Sequence, residues 1–493
     1  MNTLAITLQK HAGRSVVIGI MIFALLVSWI ALMPKSLRLD ETQSVGQTNH
    51  TLVGTLHVIA ADVHVPLYFV LLHTWIMAFG FTAGAMRMLS LIFLLLSFPT
   101  LYILAKDSYP KKIAIWSVLL AGFSPFLHWY GSEARMYTLL FLITALNHIF
   151  FLRLASKDKA TVNTWILYGA TVLLGAYTHL FFGFILLVQI AFYLRHRPLF
   201  GEDSMKKFLI VAGLASVELI GWFFYRLLVG SANSSPLLPP PTTSDFFNLF
   251  SNAYIGLQAN YLNSFFLALW PLFVLLGFTL LARREKITAH TAYLLQSTFF
   301  PIILAFLISI VGKPLFVSRY LIIVLPSLYI LSAYLISLYK PRTANILLCL
   351  VLGSMSFSLI VEAVSPEVPV NENYREASTH IASAAHANDI FVVSAPFTTY
   401  PIEYYYRGVA PMVTFPLWSR YQDSENIPPF TEQELIDASG VWAENHEYLY
   451  LLQSYDQGYE ETTRIYFDTH YERVSHKEFS PGLNLYVYKL KYL

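Results

Sequence analysis

About eleven apolar stretches follow one another from Ser15 to residue 363, most of them near the length at which an α-helix spans roughly 30 Å of hydrocarbon. A backbone placed in lipid must satisfy its N–H and C=O groups internally, so runs of this length read as membrane helices. Composition agrees: of 493 residues, 56% are hydrophobic and 13% charged, with a mean hydropathy of +0.54, well outside the balance of a soluble domain. The expected class is an α-helical polytopic membrane protein.

A formal charge of +2, with basic residues in short clusters between apolar runs, gives no footprint for nucleic acid. The single cysteine, Cys349, lies inside an apolar run, which excludes a disulfide framework and a multi-cysteine metal site. The first run, Ser15 to Met33, follows Lys10 and Arg14 but is too long for a signal peptide and ends in Met33-Pro34-Lys35 with no small-residue cleavage site. It reads as a retained first helix with a cytoplasmic N-terminus.

Positive residues accumulate on the cytoplasmic side of short loops. This places Lys106/Lys111/Lys112, Arg153/Lys157/Lys159, Arg195/Arg197/Lys206/Lys207, Arg283/Arg284/Lys286 and Lys340/Arg342 inside. Spans are then expected near 86–105, 113–130, 136–152, 163–178, 180–194, 208–229, 262–282, 292–311, 321–339 and 344–363. Leu67–Phe81 is apolar, but a crossing there would invert the Lys106–Lys112 loop, so it reads as a helix at the outer interface within a first outer loop of 34–85. Trp165–Leu194 has basic clusters at both ends and reads as a hairpin with Tyr177-Thr178-His179 at its outer tip.

The same topology collects the unusual polar residues outside. They are Asp40-Glu41 and Asp62-Val63-His64 in the first loop, Ser132-Glu133-Ala134-Arg135-Met136-Tyr137, His179, the Pro-rich loop Ser235–Thr243, and Gly312-Lys313-Pro314 through Arg319-Tyr320. From Val364 the apolar runs stop, and 364–493 reads as a small extracytoplasmic α/β domain, with an amphipathic helix at Asn371–Ala387 and strands at Ile390–Val393, Tyr448–Leu452 and Leu483–Leu490. It contains no Gly-rich phosphate loop, nucleophile elbow or metal-ligand spacing. Its tyrosines, among them Tyr400 and Tyr404-Tyr405-Tyr406, suit either sugar stacking or packing onto a neighbouring surface.

Each constellation has a plain reading beside the functional one. Asp40-Glu41 could be a solvated loop pair, but it directly follows a membrane helix, where charge needs a partner or water. Glu133 and Arg135 could be an interfacial ion pair; His64 and His179 could be hydrogen-bonded loop residues, and Pro66 a helix-start proline. Glu218 falls in mid-span, where a carboxylate is either functional or a helix-packing hydrogen bonder.

Taken in order, the motifs Asp40-Glu41, Asp62-Val-His-Val-Pro-Leu-Tyr68, Ser132-Glu-Ala-Arg-Met-Tyr137, Tyr177-Thr-His179, the Pro-rich loop, and Ser318-Arg-Tyr-Leu321 with Pro326 downstream resemble a bacterial membrane-embedded C-type glycosyltransferase. The branch is that of protein O-mannosyltransferases and the lipid A aminoarabinose transferase. The resemblance covers the membrane part and, more loosely, the C-terminal domain, whose Asn373-Tyr-Arg-Glu376 is similar to an Asp-Trp-Arg-Gly start in relatives. His64-Val-Pro66 stands where relatives usually have His-Pro-Pro.

The resemblance implies transfer of a sugar from a polyprenyl-phosphate donor to a lipid, glycan or protein acceptor on the outer side of a bacterial inner membrane. It implies Asp40 as the base that takes the acceptor's proton, with inversion at the anomeric carbon, Glu41 as its partner, and Glu133 as a second acidic position. Arg135, Arg319 and Lys313 are the implied phosphate ligands, with His64, His179 and Tyr320 at donor phosphate or sugar. A divalent cation, Mg or Mn, on Asp40 and Glu133 is compatible with carboxylate chemistry. The rival class is a transporter or flippase, which the lack of an internal repeat disfavours; a third reading is a non-catalytic assembly component.

Overall fold

The computed structural model describes residues 2–62, 64–230, 239–257, 287–365, 372–418, 431–454 and 460–490. The expected span at 262–282, the cluster Arg283/Arg284/Lys286 and residues 235–238 of the Pro-rich loop lie outside the described residues. The chain divides into two compact units: the helices up to residue 365 form one, and Lys35–Asn49 clusters with the residues after 371 in the other.

The helical unit starts with α1 (Asn2–Val27), which closes in a π-helical turn at Ser28–Leu32. After α2 (Leu39–Thr48), which belongs to the second unit, come α3 (Leu52–Ala61), α4 (Leu67–Phe79), α5 (Ala83–Ser108), α6 (Lys111–Gly122), α7 (Pro125–Gly131) and α8 (Tyr137–Leu154). They continue with α9 (Val162–Thr178), α10 (Phe182–Arg195), α11 (Ser204–Val229), α12 (Thr243–Ile255), α13 (Ala289–Val311), α14 (Leu325–Ser337) and α15 (Pro341–Val364). Starts at α3, α5, α9 and α13 are capped by Thr51, Thr82, Thr161 and Thr288, each accepting from the amide three residues on.

Among the described residues, seven helices are long and apolar enough to cross a membrane, eight if α6 and α7 count as one bent span. The protein is an integral membrane protein. The segment expected as one span at 113–130 is broken, with a 61° bend between α6 and α7. The reason is local: the residue before a proline is kept out of the helical region, so Ser124 is extended at φ −70°, ψ 114°, and its Oγ restarts the helix by accepting from Leu127 N–H. The expected hairpin appears as α9 and α10, of 17 and 14 residues. Residues 67–81 contain α4, which Gly80 ends at φ 85°, a left-handed-side backbone value that suits glycine.

Interhelical hydrogen bonds fix the packing inside this unit. Gln189 on α10 donates to Asn147 on α8 and to the Tyr293 hydroxyl on α13, Tyr168 on α9 donates to Gln189 Oε1, and His148 on α8 shares a 2.6 Å bond with Tyr293. All five of these side chains are buried, so polar atoms from the four helices satisfy one another rather than water.

The second unit holds a five-stranded sheet in the order β2-β1-β3-β5-β4. Its strands are β1 (Ile390–Ser394), β2 (Met412–Phe415), β3 (Tyr448–Gln453), β4 (Glu472–Ser480) and β5 (Leu483–Lys489). β1 pairs in parallel with β2 and β3, while β5 is antiparallel to β3 and β4. Helices α16 (Tyr374–Ala384) and α17 (Thr399–Tyr405) cover one face through Tyr374, Ile381 and Ile402. The opposite face is covered by α18 (Glu432–Asn445) and α19 (Glu460–His470) through Leu435, Trp442 and Phe467. Strand alternation sends Phe391 and Val393 to the first face and Ile390 and Val392 to the second, which makes β1 buried on both sides.

Candidate active site

Between α7 and α8 the backbone leaves the helix for five residues, Ser132 to Met136, and every one of them is buried. Irregular backbone inside an apolar bundle is stable only where its polar groups are met, and this break carries both a buried glutamate and a buried arginine. Glu133 and Arg135 are each 3% exposed, and the Arg135 N–H donates to the Glu133 carbonyl at 2.7 Å, turning the chain tightly between them. The turn is held from α5: Ser90 Oγ donates to the Arg135 carbonyl at 3.0 Å and lies 2.9 Å from the Tyr68 hydroxyl, while Thr138 donates to the Ser90 carbonyl.

The Arg135 guanidinium points at the loop between α3 and α4 and donates to His64 Nε2 at 3.2 Å. A guanidinium only donates, so Nε2 accepts and the imidazole is neutral with its proton on Nδ1. Asp62 Oδ2 stands 3.7 Å from the same nitrogen, and the His64 ring stacks on Phe69 with centroids 5.4 Å apart. Asp62 therefore balances charge beside Arg135 rather than standing as an isolated loop carboxylate.

His179 caps the C-terminus of α9, and its Nδ1 accepts from the Phe181 N–H at 3.1 Å, leaving the proton on Nε2. Loss of water around the ring holds its pKa down to about 3, and the positive charges of Arg135 and Arg319 nearby act in the same direction. The imidazole is thus a neutral donor at physiological pH. It packs against Tyr320 with centroids 4.8 Å apart; Tyr320 also stacks on Tyr137 at 6.5 Å and carries the Arg319 guanidinium over its ring at 5.5 Å.

Five expected residues, His64, Arg135, His179, Arg319 and Tyr320, are therefore one cluster, with Glu133 two positions from Arg135. Lys313 is exposed just beyond α13. Glu218 is exposed on α11, and its main-chain carbonyl accepts from the Tyr177 hydroxyl on α9 at 2.8 Å.

Asp40 and Glu41 belong to the second unit. They are not loop residues: both lie in the first turn of α2, where Glu41 is fully buried and its Oε2 accepts from the Arg38 N–H at 2.9 Å, while Asp40 is half-buried. Glu41 therefore has a helix-start role in addition to any chemistry. Among the described residues no group of three or more His, Cys, Asp or Glu is placed to hold a metal ion. Asp40 and Glu133, the two residues expected to hold a cation, fall in different units.

Sequence reasoning missed Ser90 and Tyr68 as supports of Arg135, because a hydroxyl within an apolar span carries no signal of what it faces. It also passed over Arg87, which is 2% exposed and donates to the carbonyls of Leu32 and Met33 at 3.3 and 3.0 Å, tying α5 to the end of α1. A lone arginine at the start of an apolar run was the available sign.

No protein-family model matches this sequence, and no curated protein matches it. Solved structures do. ArnT from Cupriavidus metallidurans in the apo state aligns over 97% of this chain and 98% of its own, with TM-score 0.64 at 13% identity. The same protein bound to undecaprenyl phosphate aligns over 96% and 98%, with TM-score 0.61 at 13% identity. The archaeal oligosaccharyltransferase AglB from Archaeoglobus fulgidus, in complex with an inhibitory peptide and a dolichol-phosphate, aligns over 97% of this chain and 74% of its own, with TM-score 0.51 at 12% identity. At such identities the likeness is one of fold: the chain shares its fold with ArnT over nearly the full length of both chains, and with AglB at a lower score.

Proposed function

We propose that the protein is an inverting glycosyltransferase that moves a sugar from a polyprenyl-phosphate donor to a lipid, glycan or protein acceptor on the outer face of a bacterial inner membrane, with its N-terminus in the cytoplasm. The observation that carries this reading is the cluster of two arginines and two neutral histidines at a buried break in the helices of a C-type fold. Two of the similar structures hold polyprenyl phosphates, the ligand class whose charge such a cluster suits.

The chemistry follows from the side chains. The acceptor oxygen attacks the anomeric carbon as its proton passes to the Asp40 carboxylate, and the bond from that carbon to the phosphate oxygen breaks from the opposite side, inverting the centre. The polyprenyl phosphate leaves as an anion and needs no proton donor. Its charge is met by the planar forks of Arg135 and Arg319 and by the Nε2–H of neutral His179, which act most strongly where water is excluded. His64, accepting from Arg135, keeps that fork aimed, and Glu133 orients the acceptor. Lys313, on its exposed turn, attracts donor headgroups from the membrane surface. A divalent cation, if required, would be revealed by chelator-sensitive turnover.

The test is turnover by the purified full-length protein against a panel of synthetic polyprenyl-phosphate pentoses and hexoses, read as release of polyprenyl phosphate. Release with at least one sugar, lost in Asp40→Asn, supports transfer. No release from any member, together with build-up of unmodified carrier on the inner leaflet of cells lacking the protein, would replace it with the flippase reading.

A further inference from the structure

The segment that carries Asp40 is anchored by the C-terminal domain. A helix leaves its first N–H groups without internal partners, and a Ser, Thr, Asp or Asn at the N-cap usually supplies one. Here the N-cap is Arg38, whose side chain offers only donors and makes no cap bond. The acceptors come from elsewhere. The Leu37 N–H donates to the Tyr405 hydroxyl oxygen at 2.7 Å, the Leu39 N–H donates to Glu372 Oε2 at 2.8 Å, and between them the Arg38 N–H goes to Glu41.

Arg375 completes the grip. Its backbone N–H donates to Ser36 Oγ at 3.2 Å, its guanidinium donates to the Lys35 carbonyl at 3.3 Å, and the same guanidinium lies over the Tyr405 ring at 5.4 Å. Further along α2, a Cβ on Gly46 would stand 3.0 Å from the Tyr400 ring, so the helix lies directly on α17. The partners of Leu37 and Leu39 are 368 and 333 residues away along the chain. An anchor of that kind is a tertiary choice: an N-cap side chain at position 38 reaches the amides of Asp40 or Glu41, so the Leu37 and Leu39 N–H groups need acceptors from another part of the chain.

We infer that Tyr405, Glu372 and Arg375 are positioning residues for the Asp40 carboxylate: by fixing where α2 begins, they fix the direction in which its second residue projects. The inference rests on the reading of Asp40 as the base. Proton abstraction is sensitive to such placement, because a displacement of about 1 Å in a reacting group costs on the order of a hundredfold in rate. It also gives the tyrosines around residue 405 a duty other than stacking on sugar.

The experiment uses the full-length protein carrying Tyr405→Phe, Glu372→Ala or Glu372→Gln, with the polyprenyl-phosphate sugar that turns over in the screen as donor. Tyr405→Phe keeps the ring under Arg375 and removes only the acceptor oxygen. Expected are a kcat lower by about ten- to a hundredfold with donor KM and thermal midpoint unchanged, partial recovery in Glu372→Gln because its amide oxygen still accepts, and faster amide exchange in the peptide spanning 35–49. Wild-type kcat and exchange in Tyr405→Phe and Glu372→Ala, with Asp40→Asn inactive, would overturn the positioning role and leave the base standing. Losses matched by a lower thermal midpoint and a raised KM would make the contacts merely structural, which also overturns it. Wild-type turnover in Asp40→Asn would remove the base and this inference together.

Discussion

The guanidinium of Arg135 donates to His64 Nε2 across 3.2 Å, joining residues 71 positions apart. One lies in the buried break between α7 and α8, the other in the loop before α4. The bond fixes both the aim of the arginine and the tautomer of the histidine, and it is the hinge of the proposed donor site.

Arg135→Ala is expected to lower kcat/KM for the polyprenyl-phosphate donor by about ten- to a hundredfold, the loss of a charged hydrogen bond of ~1.5–3 kcal/mol. Arg135→Lys keeps the charge without the fork and should fall between. Steady-state kinetics on the three proteins decide it; wild-type efficiency in the alanine variant would take Arg135 out of the site.

Replacement of Asp40 by asparagine should cut the single-turnover rate by roughly 10²–10⁴-fold while donor binding, read by competition, persists. Transfer at a near-normal rate would discard the base assignment.

For Arg319 the comparison is again alanine against lysine. Arg319→Ala should raise the donor KM more than Arg319→Lys, by several-fold to about tenfold. Tyr320→Phe should be close to wild type, because the ring contacts to His179, Tyr137 and Arg319 survive it. Equal and negligible effects in both arginine variants contradict a phosphate role.

His179 gives a pH dependence with a definite sign. Its folded pKa lies near 3, below the ordinary 6.5, so between these values the unfolded chain binds a proton that the folded chain excludes. Stability from this group is complete above the ordinary value and is lost as pH falls through the window, at up to ~1.4 kcal/mol per pH unit. His179→Gln should show a shallower fall in thermal midpoint than wild type from about pH 7 to about pH 4 in detergent. Parallel curves would contradict the burial argument.

Ser90 is fully buried and touches both the Arg135 carbonyl and the Tyr68 hydroxyl. Ser90→Ala leaves both partners short of a bond and is expected to destabilise by about 1–3 kcal/mol, seen as a lower thermal midpoint. Activity should fall more than stability does, because the turn carrying Arg135 loses its anchor. An unchanged midpoint and rate would show the turn to be self-supporting.

The division of labour between sequence and fold is visible residue by residue. Apolar runs of membrane length are a local property, and they placed α5, α8, α11, α13, α14 and α15 within a few residues, just as short apolar runs placed β1, β3 and β5. The edge strands β2 and β4 were not foreseen: β2 is short, and β4 is exposed nearly throughout, so neither has a one-sided apolar pattern. The bend at Ser124-Pro125 was written in the proline but masked by the apolar residues around it.

What the sequence by itself determined was the solvent, a membrane, and the inventory of ionisable residues that such a solvent makes conspicuous. That His64, Arg135, His179 and Arg319 meet, and that Asp40 begins a helix tied to Tyr405 and Glu372, was decided only by tertiary structure. Transfer free energy and hydrogen-bond satisfaction act on each segment separately and so can be read along the chain. Which segments lie side by side depends on how whole helices and strands fill space against one another, a property of the packed molecule that no single stretch contains.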